Sequence, residues 1–208
     1  MSPIAHPALL SIRRVLPDRP RPEERCGLCA SPIDPDWHRH VVQLEPRGLQ
    51  CACQACHLLF TSPGAGGGRW RAVPDRWAPV ALDPAVWEVL DVPVGVAFFV
   101  VDSRAGVVRA GYPGPAGVTE SSVPLERWRE VVEAHPALGS VEPDVEAVLV
   151  RSTHGRPEAY VVPLDACYGL AGRLRNRWEG LAGGPGGSTV LDDLFADVEA
   201  RATRSSSR

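Results

Sequence analysis

The sequence predicts an α+β fold, and three observations predict it. Two Cys-X-X-Cys pairs, "CGLC" (Cys26, Cys29) and "CQAC" (Cys53, Cys56), sit inside a short polar segment. Downstream, β-type runs such as "VGVAFFVV" and "GVVRAGY" are joined by turn signals such as "DSRAG". Between and after them lie segments whose apolar residues recur at helical spacing. Together these describe a small four-cysteine metal-binding module, built as knuckle, hairpin and helix. An α+β domain with two β-hairpins and three helices follows it.

The elements are expected in this order. Residues 1–25 are a Pro/Arg-rich arm with a short helix over "ALLSIRRVL", because the prolines of "PDRPRPEER" each remove a donor and clash with a preceding turn. Residues 26–60 are the cysteine module, and 61–69, "TSPGAGGGR", a Gly-rich linker or exposed loop. The larger domain spans 70–202. It opens with a short helix over "DPAVWEVLD", where Asp83 is the N-cap and Pro84 the first helical residue. One hairpin follows, then the amphipathic helix "PLERWREVVEA" with Leu125, Trp128, Val131 and Val132 on one face. "VEAVLV" and "EAYVVPL" make the second hairpin. "LDACYGLAGRLRNRWEGL" is a longer helix with Leu164, Cys167, Leu170, Ala171, Leu174 and Trp178 on its apolar stripe. The last helix begins at the N-cap Ser188, and 203–208 is a disordered tail. "VPLERW" and "VPLDAC" echo each other, which suggests two ββα units.

Composition narrows the function. The 208 residues carry a net charge of −3, which argues against a general affinity for nucleic acid. All basic residues are arginine, with no lysine, a pattern of GC-rich codon usage that weakens arguments from any single arginine. No apolar run reaches a membrane span and no signal peptide is legible, so the expected location is cytoplasmic. In a reducing cytosol clustered cysteines point to metal rather than disulfides.

Cys26, Cys29, Cys53 and Cys56 are therefore the expected metal ligands. Two cysteines at i and i+3 turn both sulfurs to one point in a tight knuckle, and two knuckles close a tetrahedral shell of four sulfurs. Zn²⁺ is the expected ion and iron the alternative, since tetrahedral sulfur geometry serves both. The order of knuckle, hairpin ("HVVQLEP" with "RGLQCAC") and helix ("QACHLLF") resembles a treble-clef or zinc-ribbon module. The two pairs also resemble rubredoxin-type iron sites, although Ala30 and His57 stand where those knuckles carry glycine. Cys51 is surplus: alternate ligand, spare thiol or packing residue. "CGLC…RHVVQL…CQACH" resembles zinc-stapled HNH nucleases, with His40 and His57 in the places that flank their catalytic metal. Arg39 replaces the usual acidic residue, the module has no asparagine, and 12 residues between His40 and Cys53 are few for that motif. The larger domain shows no P-loop, GxSxG, GxGxxG or paired-carboxylate set. Cys167 falls on an apolar stripe and is expected in the core.

"RPEERCGLC", "HVVQLEPRGLQCACQACHLLF", "GYPGPAGVTESSVPLERW", "VEPDVEAVLV" and "VPLDACYGLAGRLRNRWEG" resemble an uncharacterised actinobacterial family whose members are often encoded beside genes for uptake [NiFe] hydrogenases. The resemblance runs from about Arg21 to Ala200. It implies a cytoplasmic accessory protein whose partner is a [NiFe] hydrogenase or its maturation machinery, with no activity assigned. The expected function is thus a non-catalytic zinc-binding accessory protein that docks a partner protein. A rubredoxin-like electron carrier is the alternative, and an HNH-like nuclease the remote one.

Overall fold

A computed structural model describes residues 24–83, 95–114, 117–153, 156–177 and 184–206. The fold is α+β, with nine strands in two sheets among the described residues. The small sheet has the order β2-β1-β3, from β1 (Arg39–Leu44), β2 (Arg47–Ala52) and β3 (Trp70–Ala72). Helix α1 (Gln54–Leu59) follows β2. The large sheet is antiparallel throughout, in the order β4-β9-β8-β5-β6-β7. Its strands are β4 (Ala78–Val80), β5 (Val96–Asp102), β6 (Val107–Gly114), β7 (Gly117–Pro124), β8 (Glu146–Thr153) and β9 (Arg156–Pro163). Helices α2 (Leu125–Ala134), α3 (Leu164–Arg177) and α4 (Gly184–Ser206) complete it.

The run "VAFFVV" is apolar at every position because both faces of its sheet are covered. Alternate residues of a strand face opposite ways. Val96, Phe98 and Val100 therefore join Ala147, Leu149 and Val162 under α3 and α4. Ala97 and Phe99 join Val108, Val148 and Val161 under Trp128 and Val131 of α2. The Phe99 and Trp128 rings stack at 6.0 Å. Phe98 crosses over Gly111, where a Cβ would collide with its ring. Cys167 is fully buried on the α3 stripe with Leu164, Leu170 and Leu174, as its position in that stripe predicts.

The two hairpins form as expected, and "DSRAG" turns the first: the Ala105 N–H donates to Asp102 Oδ1 at 2.9 Å and Gly106 takes φ +65. Four features differ from the expectation. Segment β7, too polar to read as a strand, pairs with β6 along its whole length and forms a sheet edge. The helix α4 begins four residues before Ser188 and runs through Ser206, so most of the expected tail is helical. Strand β3, whose residues fall in the span expected for the larger domain, pairs with β1, and 61–69, expected as a linker or exposed loop, leads into it. Glu24 and Arg25, assigned to the arm, belong to the knuckle: Ile33 N–H donates to the Glu24 carbonyl and Arg25 bridges Pro32.

The echo also takes another form. Val123–Leu125 and Val162–Leu164 each mark a strand running into a helix, but α2 follows three strands and α3 two, and the helices cover opposite faces of the sheet. The expected helices over "ALLSIRRVL" and "DPAVWEVLD" lie wholly or almost wholly outside the described residues, as does Trp178.

The small unit packs on the α3 side. Val42 and Leu44 of β1 share a core with Val73, Trp77, Leu164 and Cys167. Charges reinforce the contact: Arg47 lies 3.8 Å from Asp102 and 3.5 Å from Asp144, and Arg71 donates to the Pro143 carbonyl and to Glu142. Asp144, 1% exposed, also accepts from the Ser103 amide and hydroxyl.

Candidate metal centre

The first Cys-X-X-Cys pair forms a knuckle. Ala30 N–H donates to the Cys26 carbonyl at 2.9 Å, Cys26 N–H to the Ser31 carbonyl at 2.8 Å, and Gly27 N–H to the Cys51 carbonyl at 2.9 Å. Closing this turn puts Ala30 at φ +60, the left-handed region that glycine favours. The second pair is held by a helix start. Cys53 is the N-cap of α1, extended at φ −68, ψ 162, and its carbonyl accepts from the His57 N–H at 2.9 Å. Cys56 lies in the first turn and is buried. The hairpin between the pairs brings these two ends of the module together.

The result is convergence. The Sγ atoms of Cys26, Cys29, Cys53 and Cys56 all lie within 4.8 Å of one another, a group that could hold a metal ion. Cys29 and Cys53 are 3.7 Å apart. A tetrahedral ion with metal–sulfur bonds of about 2.3 Å needs sulfur–sulfur edges of about 3.8 Å. The donor set and spacing fit such an ion with small adjustment. Their core is otherwise slight: Ile33, Val41 and Ala52 are the other buried members of the cluster.

Burial pushes the Cys26 thiol up, but N–H groups of Cys53, Cys29 and Leu28 outweigh it and bring the thiol down to about 6. The Ser31 hydroxyl and amide lower Cys29. Cys56 is raised, by burial first and then by the thiols of Cys29, Cys53 and Cys26. Cys26, Cys29 and Cys56 thus ionise unequally, and a cation would favour the ionised form of its ligands.

The remaining candidates divide. Cys51 does not join the four. It pairs across the hairpin with His40, and its thiol donates to Glu24 Oε1 at 3.2 Å. Burial and Glu24 push that thiol up to about 11. His57 directs Nε2 to the Val73 carbonyl at 3.0 Å, and His40 directs Nδ1 to Asp165 at 2.7 Å. Of the tryptophans in 70–87, Trp77 is buried, Trp70 is half-buried and packs on Phe60 at 5.9 Å, and Trp87 is outside the described residues. Among the described residues the exposed large apolar side chains are Trp37, Leu58, Leu59 and Tyr168, and Leu58 and Leu59 end the helix that carries Cys56. A cleft over Arg47, Arg109 and Tyr168 has both its arginines met by Asp102.

Among the described residues no helix is long and apolar enough to cross a membrane. No curated protein and no solved structure matches the chain. Residues 25–202 match the family of unknown function DUF5947, and the chain belongs to that family.

Proposed function

We propose that the chain is a non-catalytic zinc-binding accessory protein of the cytoplasm that docks a partner protein, in [NiFe]-hydrogenase assembly or function. The observation that carries the zinc reading is the four-sulfur group, which no other metal-ligating side chain joins among the described residues. Structural zinc sites are four-coordinate and closed in this way, whereas catalytic ones keep a position open. Knuckle, hairpin and a helix bearing the last two ligands is the order of a treble clef. Docking is supported by Trp37, Leu58 and Leu59, large apolar side chains exposed on the metal-bearing unit. The hydrogenase assignment rests on the family resemblance of the sequence.

A rubredoxin-like iron protein is the second reading, and the conformation of Ala30 removes one objection to it. The missing glycine argues for zinc only if the knuckle needs one, and Ala30 adopts φ +60 without it. Absorption of the purified protein separates the two: a colourless protein supports zinc, and thiolate-to-iron bands would replace it with iron. The nuclease reading loses support, because His40 and His57 are turned to different partners. Docking is tested by binding of purified [NiFe]-hydrogenase subunits and maturation proteins to the wild type and to a Leu58→Asp/Leu59→Asp variant. Equal binding by both, or none by the wild type, counts against it.

A further inference from the structure

Outside the four-cysteine group, a second set of metal-ligating side chains converges. His38 and His40 are two residues apart in extended chain and so face the same way. Register places Cys51 directly opposite His40 on β2. One ligand atom from each of His38, His40 and Cys51 lies within 4.8 Å of the others. The two imidazole rings sit 4.6 Å apart.

Three further observations point to a cation. Nε2 of His38 is buried and has no hydrogen-bond partner among the described residues, a costly arrangement for a polar atom. Asp165, on α3, holds Nδ1 of His40 at 2.7 Å, which leaves Nε2 as the ligating nitrogen. A carboxylate on the far nitrogen is how metal-binding histidines are fixed in tautomer and orientation. Glu24 completes the rim, with Oε1 3.2 Å from Cys51 Sγ and Oε2 3.4 Å from His38 Nδ1.

We propose that His38, His40 and Cys51 form a second metal site, distinct from the four cysteines, for a borderline-soft divalent transition ion such as Zn²⁺. Two imidazoles and one thiolate suit such an ion. Tetrahedral edges for nitrogen and sulfur ligands are about 3.3–3.8 Å, so the group tightens by roughly 1 Å around it. These three side chains leave the fourth position to an exchangeable ligand, with Glu24, 53% exposed, at the rim beside it. This site therefore differs in kind from the closed four-sulfur group: it can accept an outside ligand. It also lies where β1 meets α3, so an ion there ties the small unit to the larger sheet through Asp165.

Zn²⁺ and Co²⁺ loading of the full chain tests this, read by native mass spectrometry and by cobalt absorption. The wild type is expected to take two ions. The four-sulfur ion shows intense thiolate charge-transfer bands, and the other shows the weaker bands of a single thiolate. His38→Ala and Cys51→Ala should each take one ion and keep the four-thiolate spectrum. Asp165→Asn should take two, with the second bound about 10–100-fold more weakly. A wild type that saturates at one ion overturns the proposal, as do two ions held with unchanged affinity by all three variants. The wild-type cobalt spectrum reads the second site without any substitution, so a variant that fails to fold leaves the question answerable. Loss of only the four-thiolate bands would instead count against the four-cysteine reading.

Discussion

Substituting Ala30 tests the knuckle where it is most strained. Ala30 sits at φ +60, while its N–H closes the turn on the Cys26 carbonyl and its own carbonyl accepts from Arg25 at 3.0 Å. A left-handed conformation costs a non-glycine residue about 1–2 kcal/mol. Glycine removes that cost but loses about 0.5–1 kcal/mol more backbone entropy on ordering. The net gain for Ala30→Gly is therefore about 0.5–1 kcal/mol. The knuckle carries two of the four sulfurs, so its stability is linked to the ion it holds. Converted at 1.4 kcal/mol per tenfold, the gain is about 2–5-fold tighter binding. Ala30→Val goes the other way, because a β-branched residue is strongly disfavoured at positive φ, and binding should weaken several-fold. The assay is competition for Zn²⁺ against a chromophoric chelator, with the four-thiolate cobalt bands identifying the site. An order other than Gly, then Ala, then Val would refute the strained-knuckle reasoning.

Three other perturbations have definite outcomes. Gly111→Ala should cost about 1–3 kcal/mol and lower the thermal midpoint, because the new Cβ meets the Phe98 ring in a core closed by α3. Burial pushes the Asp102 carboxyl up, but the Ala105 N–H and the Arg109 and Arg47 guanidinium groups outweigh it and hold the group below its usual range. A lowered pKa means stabilisation that is present above the unfolded value of about 3.9 and lost as pH falls below it. Asp102→Asn should therefore destabilise at neutral pH and flatten the acid limb of a urea-unfolding profile; an unaltered acid limb would count against it. Cys167, fully buried and with its thiol raised by burial, should resist thiol reagents in the native protein and react only on unfolding.

What could be read in advance follows from physical range. The four cysteines were legible because each pair is local and only one closure, the hairpin, separates them. The paired runs "VAFFVV" and "GVVRAGY" were legible because turn chemistry joins neighbours. Strand β7 was not, since "GVTESSVP" is mostly exposed at an edge and has no alternating apolar face to announce it. Strand β3 was hidden by three residues of length and by the glycines ahead of it. The His38, His40 and Cys51 group carried one local signal, the His-X-His alternation, but its hairpin register and its partner Asp165, 125 residues from His40, come only from the fold. The left-handed turn at Ala30 was not legible either, because the hydrogen bonds around it hold a conformation that an alanine disfavours.

The most direct test is the metal content of the purified chain beside its Cys29→Ser and Cys56→Ser variants, measured by elemental analysis for zinc and iron. Each variant removes one of four converging sulfurs, so each should carry one zinc ion fewer per chain than the wild type, with little iron in any of them. Equal zinc in wild type and variants, or a wild type free of both metals, would contradict the four-cysteine centre.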